Sequence, residues 1–278
     1  MRAVAAASAE DRPAGLSAFW SRIVVALALL PVVLGLVWLG GWWLWALAVA
    51  AGLIALHEFY GMARPLRPLV PAGYAGLVLT LLGAQLGGTV WMVGGFLSTI
   101  ALAFLLKGIS DTRQSLTVAV ATTVLGTGWI AFGLAFILLL RGFTQHGRLA
   151  LFTVLLAVFA ADTLAYFTGV LIGRHKLAPV LSPGKTWEGL VASTITAVLV
   201  PFFALYNQDF LTIGESLVLG AMIAVAAPVG DLFESAVKRD LGVKDSGRLL
   251  AGHGGMLDRL DAPLFAVVAA YFTILALT

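Results

Sequence analysis

The sequence predicts an all-α polytopic membrane protein with about nine transmembrane helices. Hydrophobic residues make up 60% of the 278 residues, mean hydropathy is +1.00, and only 11% of the residues are charged. Apolar runs close to the length that a helix needs to cross a bilayer recur along the whole chain. A transmembrane barrel would instead show short alternating segments. The chain has no cysteine, which excludes disulfides and thiolate metal sites.

Nine apolar runs are the candidate spans, and the glycine pairs Gly40-Gly41 and Gly87-Gly88 predict the tightest turns between them. Trp42, Trp43 and Trp45 are placed to anchor a helix end in the membrane interface. The runs cover residues 21–39, 42–62, 70–87, 90–106, 116–140, 149–172, 188–206, 216–237 and 262–277.

The distribution of basic residues predicts the side of the membrane on which each loop lies. With a cytoplasmic N-terminus, fifteen of the seventeen Lys and Arg residues fall on the cytoplasmic side, and only Arg141 and Arg148 fall opposite. Lys and Arg accumulate in cytoplasmic loops of membrane proteins. We therefore expect a cytoplasmic N-terminus, an external C-terminus, and a functional face at the cytoplasmic loops 173–187 and 236–261.

A charged face is predicted at the end of the eighth run. Its residues recur at spacings of three and four and so share one side of a helix. They are Asp231, Glu234, Ser235 and Lys238. Charges near the membrane are costly unless they pair or bind an ion, which favours a functional site. The structural alternative pairs Lys238 with Glu234 and places Asp231 beside a kink at Pro228.

A second cluster lies at the start of the ninth run, where Asp258 and Asp261 share a face if the helix begins near Leu257. Arg259 would then point elsewhere. Carboxylates from two helices suit Mg²⁺, which takes one or two protein carboxylates plus phosphate oxygens and water. The preceding turn His253-Gly254-Gly255 would offer N–H groups to an anion. Zinc is disfavoured for lack of a second histidine at ligand spacing, and a simple glycine turn with dipole-stabilising aspartates is the structural alternative.

A third constellation surrounds the sixth run. Asp162 lies about 15 Å from the cytoplasmic helix end at 1.5 Å per residue, so we expect it to face the interior, paired or ion-bound. The following segment Ser182-Pro183-Gly184-Lys185-Thr186 supplies hydroxyls, backbone and a lysine ahead of a helix start. This is a candidate phosphate cradle, although its glycine spacing differs from that of a Walker loop. A simple helix N-cap is the alternative.

These residues closely resemble the signature of the phosphatidate cytidylyltransferases, also called CDP-diacylglycerol synthases. The resemblance covers about residues 155–275 and extends to the SPGKTWEG segment and to Asp162-Thr163-x-Ala165-Tyr166-Phe167. Its central motifs are Ser235-x-x-Lys238-Arg239, Lys244-Asp245-x-Gly247 and His253-Gly254-Gly255-x-Leu257-Asp258-Arg259-x-Asp261. The N-terminal half matches only in its hydrophobic character.

The resemblance implies transfer of a cytidylyl group from CTP to phosphatidate, with Mg²⁺ as cofactor and K⁺ as a candidate second cation. The metal ligands implied are Asp231, Asp258, Asp261 and Asp162. The catalytic residues implied are Lys238, Arg239, Ser235, Lys185 and His253. The residues implied in binding the nucleotide and its phosphates are Ser182, Lys185, Lys244, Asp245, Gly254, Gly255 and Arg259.

The chain departs from the family pattern at three positions. Ala251 replaces a usual proline, Leu164 stands where glycine is common, and Ala262 replaces a frequent serine. None of these changes removes a charge. They bear on turn geometry and on lipid selectivity, and we still expect an active enzyme.

We expect a membrane scaffold in residues 1–150 and a catalytic membrane region in residues 151–278. The implied partners are CTP, phosphatidate and membrane lipids, without nucleic acid, and the small residues of the helices would suit either monomer folding or a homodimer. The implied location is a bacterial inner membrane. An ion-coupled transporter that uses Asp162 and Asp231 is the alternative function, but no inverted repeat relates the two halves. A noncatalytic lipid-binding scaffold would leave the aligned aspartates unexplained.

Overall fold

A computed structural model describes residues 30–109, 115–143, 145–247 and 255–278. The predicted all-α architecture is confirmed in these residues apart from one short hairpin of strands. A 3-10 turn at Arg64–Leu66 follows the second helix. The helices are α1 (Leu30–Leu39), α2 (Gly41–Met62), α3 (Val70–Ile109), α4 (Leu116–Arg141), α5 (Gly147–Leu171), α6 (Trp187–Leu205), α7 (Ile213–Asp240) and α8 (Leu257–Leu277).

Helix α3 reverses direction in its middle. Gly87 and Gly88 are non-helical, and Gly88 has a φ of 67°, a left-handed conformation that favours glycine. The two halves then pack closely, because a side chain at Gly83 or Gly95 would collide with the backbone of the opposite half. The turn that the glycine pair predicts is therefore present, and α3 is a helical hairpin.

Seven helices of the described residues are long and apolar enough to cross a membrane when α3 is counted once. The protein is thus a multi-pass membrane protein. Each predicted run corresponds to a helix or half-helix, except that the first run is described only from Leu30. The count of nine spans and the sides of the two termini stay predictions.

Helix α4 forms the centre of the bundle. It packs against α2, α3, α5 and α8, and most of its residues are buried. The outer surface is apolar instead of polar, with Val170, Val191 and Phe203 more than half exposed. Apolar side chains on the outside and small or apolar ones inside are the arrangement that a lipid environment favours.

An antiparallel hairpin between α5 and α6 is the feature that the sequence does not predict. Strand β1 (Lys176–Ala178) pairs with β2 (Ser182–Thr186). The base of the hairpin is closed by a 2.7 Å contact between His175 Nδ1 and Glu188 Oε1. Thr186 then caps α6 by accepting a hydrogen bond from the Gly189 N–H.

The helix ends fall into two groups. Glu58, near the end of α2, contacts the first residues of α8, and Arg239, near the end of α7, contacts the β1–β2 hairpin. At the other end of the bundle, Arg141 donates to backbone carbonyls at the end of α1, and His146 stacks on Phe210. Arg141 therefore lies away from the charge-rich loops, as the charge distribution predicts.

A reporter fused after Thr278 is expected to lie outside the cell. Helix α8 has 21 residues and is about 30 Å long, so it carries the C-terminus away from the charge-rich end. Tags inserted at 107–115 and at 240–250 should be cytoplasmic. Paired reporters, one active only in the cytoplasm and one only outside, measure this directly. A cytoplasmic C-terminus would contradict the orientation and would indicate that one half of α3 does not cross.

Candidate functional site

A cavity of roughly 520 Å³ opens where α7, α8 and the β1–β2 hairpin meet, a size typical of small-molecule sites. We refer to it as the charged pocket. All of its lining residues except Leu181 are polar or charged, in contrast to the rest of the bundle. The lining residues are Leu181, Ser182, Asp231, Glu234, Ser235, Lys238, Arg239, Lys244, Asp245, Asp258, Arg259 and Asp261.

Helix α7 provides one wall of the charged pocket. The predicted shared face is confirmed, because Asp231, Glu234, Ser235 and Lys238 all line the cavity. Glu234 is only 1% exposed, so its carboxyl group is almost completely removed from water. A buried carboxyl group requires a proton, a cation or several donors to be tolerated.

Helix α8 provides the opposite wall and begins at Leu257, as the sequence predicts. Asp258 and Asp261 line the charged pocket from this helix. Arg259 also lines the pocket, so the prediction that it points elsewhere is wrong. Its long side chain is exposed and reaches the pocket from the helix flank.

An ion pair between helices joins the two walls. Lys238 Nζ lies 2.8 Å from Asp258 Oδ1 and 3.4 Å from Glu234 Oε1. The shorter contact is the one to α8, so Lys238 is not simply paired within its own helix as the structural alternative supposes. The lysine and aspartate side chains are 15% and 18% exposed, which shields the pair from water and strengthens it.

The β1–β2 hairpin places a second lysine next to the charged pocket. Lys185 Nζ lies 2.6 Å from Asp231 Oδ2, so it contacts the pocket wall on α7. At the hairpin tip, Arg239 Nε donates to the Leu181 carbonyl at 3.3 Å, and Ser182 lines the cavity. The N-cap predicted as an alternative is present at Thr186, while Ser182 and Lys185 lie on the side of the charged pocket.

Asp162 lies in the middle of α5 and does not line the charged pocket itself. It is within electrostatic range of Asp261, Asp231 and Lys185. The residue is exposed, so it is not enclosed in the interior of the bundle as predicted. Six carboxyl groups and three lysines thus lie in or beside the charged pocket: Asp162, Asp231, Glu234, Asp245, Asp258, Asp261, Lys185, Lys238 and Lys244.

The start of α8 is held by two carboxylates of the chain. The Gly255 N–H donates to Asp258 Oδ2 at 2.8 Å, and the N–H groups of Met256 and Leu257 donate to Glu58 at 3.0 and 2.9 Å. In this structure the Gly255 N–H therefore binds an internal carboxylate, and its approach to a bound anion stays a prediction. His253 and Gly254 lie outside the described residues.

Glu58 lies near the charged pocket, although the sequence indicates only a structural role for it at the end of the second run. The only signal is that it is a lone carboxylate at the end of a long apolar run. Lys244 and Asp245, which the sequence does single out, line the pocket from the segment after α7.

The carboxyl groups fit a hard cation that also binds a phosphate ligand. Those of Asp258 and Asp261 lie close to the buried carboxyl group of Glu234, whose Oε1 is 3.4 Å from Lys238 Nζ. No group of three or more His, Asp or Glu side chains within the described ranges is arranged to hold a metal ion alone. Mg²⁺ does not require such a cage, because it commonly uses one or two carboxylates plus water and substrate phosphates.

Known proteins resemble this chain along nearly its full length. Residues 20–277 match the model of the cytidylyltransferase family. A protein of Staphylococcus haemolyticus named phosphatidate cytidylyltransferase is 35% identical over 252 residues, which cover 89% of this chain and 94% of that protein. Proteins of the same name in Mycobacterium bovis and Staphylococcus aureus are 34% and 35% identical, and the matches cover 91% and 89% of this chain and 87% and 94% of those proteins.

Proposed function

This chain belongs to the cytidylyltransferase family, and from that premise we propose that it transfers a cytidylyl group from CTP to phosphatidate. The products are CDP-diacylglycerol and pyrophosphate. The observation that carries the proposal is the charged pocket, where lysines and carboxylates meet at the end of apolar helices. Such a position gives both a water-soluble nucleotide and a lipid headgroup access to the same charges.

In the reaction, a phosphate oxygen of phosphatidate attacks the α-phosphorus of CTP. A new phosphorus–oxygen bond forms, the bond between the α-phosphorus and the bridging oxygen to the β-phosphate breaks, and pyrophosphate leaves with that electron pair. A phosphate monoester is already ionised near pH 7, so no general base is needed. Catalysis then consists mainly of positioning and charge neutralisation.

The two lysines would stabilise the phosphates. Lys238 Nζ lies 2.8 Å from Asp258 Oδ1, and Lys185 Nζ lies 2.6 Å from Asp231 Oδ2. A bound phosphate would offer each ammonium group further acceptor oxygens. Arg239 would assist at the pocket rim while it keeps the hairpin tip in place. Ser235 would donate a hydrogen bond from the α7 wall. His253, which lies outside the described residues, is also proposed as a catalytic residue.

The proposed metal ligands are Asp231, Asp258, Asp261 and Asp162, to which the position of Glu234 adds a fifth carboxyl group. When bound there, Mg²⁺ would neutralise phosphate charge and orient the α-phosphate, with K⁺ as a candidate neighbour. The proposed nucleotide-binding residues are Ser182, Lys244, Asp245 and Arg259, together with the glycines of the turn before α8.

We further propose an inner-membrane location with the charged pocket on the cytoplasmic side, where CTP is made. The arginine and lysine distribution supports this orientation. A homodimer is an additional proposal, which rests on the small residues of the helices, and crosslinking in native membranes would test it.

Purified full-length protein in detergent is expected to release pyrophosphate when CTP, phosphatidate and Mg²⁺ are all present. Omitting any one of them, or adding EDTA, should abolish release, and ATP, GTP and UTP should support it poorly. Release should be matched mole for mole by CDP-diacylglycerol. No release under these conditions would contradict the proposed enzyme and favour the transporter, for which ion uptake into proteoliposomes is the decisive measurement.

A further inference from the structure

The carboxylate of Glu58 joins the N-terminal half of the chain to the start of α8. Its Oε1 accepts a hydrogen bond from the Met256 N–H at 3.0 Å, and its Oε2 accepts one from the Leu257 N–H at 2.9 Å. The Ser246 hydroxyl donates to Oε2 at 3.3 Å. Residues almost two hundred positions apart in sequence are thereby connected through a single side chain.

The surroundings of Glu58 are shaped to admit this carboxylate. The residue is 7% exposed, and Ser246 is 6% exposed. A Cβ atom added at Gly247 or Gly255 would collide with the Glu58 carboxyl group, and one at Gly255 would also collide with Ser246 Oγ. Glycine at both positions lets the backbone approach the carboxylate on both sides. Buried charged groups of this kind are stable only when their hydrogen bonds are satisfied.

The contacts of Glu58 fall on both sides of residues 248–254. Ser246 and Gly247 precede this segment, and Gly255, Met256 and Leu257 follow it. Helix α8 also begins here, and the positive end of its dipole stabilises a carboxylate at this place. Glu58 thus fixes the axial position and the first turn of α8.

That first turn carries Asp258. With Met256 and Leu257 bonded to Glu58, the adjacent Gly255 N–H is free to donate to Asp258 Oδ2, and Asp258 Oδ1 meets Lys238. A shift of the α8 start would therefore move Asp258 relative to Lys238 and the α7 wall. Displacements of about 1 Å in positioning elements lower enzymatic rates strongly.

We infer that Glu58 is a positioning residue for the charged pocket, which acts by anchoring the start of α8 and so orienting Asp258. This inference rests on the proposed cytidylyltransferase function. It assigns a role in the site to a residue of the half of the chain expected to be only scaffold. Glu58 itself does not line the charged pocket and is not proposed to touch substrate.

The test compares Glu58→Gln with Glu58→Asp and with Glu215→Ala in the full-length protein. Glutamine keeps the shape but turns one acceptor into a donor that faces an N–H group. Glu215 accepts from the Thr212 N–H in the capping box of α7, at the opposite end of the bundle. Its removal tests whether the loss of any helix-capping carboxylate has the same effect.

Glu58→Gln is expected to lower kcat roughly tenfold to a hundredfold, the range seen when a residue that orients a site ligand is lost. The KM for CTP should change much less. Hydrogen–deuterium exchange of the Met256 and Leu257 amides should become faster. Glu58→Asp, which keeps both acceptors on a shorter side chain, should fall between wild type and Glu58→Gln in both measurements. Glu215→Ala should keep the wild-type kcat and speed exchange only at the start of α7.

An active wild type with unchanged kcat in Glu58→Gln would overturn the inference, as would unchanged exchange at Met256 and Leu257. If Glu58→Gln cannot be purified, Glu58→Asp decides by the same two measurements. An inactive wild type would contradict the proposed function, and the exchange data would still show whether Glu58 anchors α8.

Discussion

Asparagine in place of Asp258 is expected to lower CTP-dependent pyrophosphate release about a hundredfold or more, the scale of loss when one preorganised charge contact is removed from a dehydrated site. Asparagine can still accept the hydrogen bond from the Gly255 N–H, so the turn before α8 should persist. What disappears is the negative charge 2.8 Å from Lys238 and next to Glu234. Initial rates at saturating CTP and Mg²⁺, with Tm in detergent as the folding check, measure the effect.

The same reasoning applies to Asp231→Asn, which removes the partner of Lys185 from the other end of the α7 face. Asp209→Asn is the matched control, because Asp209 is exposed in the loop between α6 and α7, away from the charged pocket. The control should keep its full rate. Rates of Asp258→Asn and Asp231→Asn close to that of Asp209→Asn would contradict the assignment of these aspartates to metal and phosphate chemistry.

The helices were predictable because membrane-spanning segments are set by a strong, local property. Twenty apolar residues in succession have few alternatives to a helix in lipid, where every backbone polar group must be bonded internally. The reversal of α3 was predictable for a local reason as well, since Gly87-Gly88 can adopt the left-handed turn. The β1–β2 hairpin was not, because β1 has only three residues and β2 contains the Ser, Pro and Gly that are typical of a loop.

The candidate site was predictable where its residues share one helix. Spacings of three and four placed Asp231, Glu234 and Lys238 on the same face, and that face lines the charged pocket. The sequence did not predict specific side-chain contacts between elements, because helical spacing does not show which side chains of different helices meet. The ion pair of Lys238 with Asp258 and the contact of Glu58 with Leu257 are both of this kind.

At the start of α8 the sequence predicts the helix boundary but not the partners of its first N–H groups. N–H groups at a helix N-terminus bind anions, and the sequence places glycines just before α8, which suggests a phosphate-binding site. The N–H groups of Gly255, Met256 and Leu257 instead bind Asp258 and Glu58. A carboxylate supplied by a distant helix satisfies the same physical requirement as a phosphate, and only the tertiary structure distinguishes the two.

Lys238→Ala is expected to reduce pyrophosphate release far more than Lys176→Ala, although both lysines lie at the charge-rich end of the molecule. Lys176 is exposed on β1 and should contribute about 1 kcal/mol of attraction to anionic lipid. Lys238 bridges Asp258 and Glu234 in a largely buried position, where its contact with a substrate phosphate should be worth more than at the surface. Lys107 would be a poor control, because it is only 8% exposed.

The rates of Lys238→Ala, Asp258→Asn and the double variant form a cycle that isolates the bond between the two helices. Because the two side chains contact each other directly, the double variant should lose much less than the product of the single losses. If the rate loss of the double variant equals the product of the two single losses, Lys238 acts on substrate independently of Asp258. Equal, small losses for Lys238→Ala and Lys176→Ala would reduce Lys238 to part of a generic basic surface and contradict the catalytic role proposed for the charged pocket.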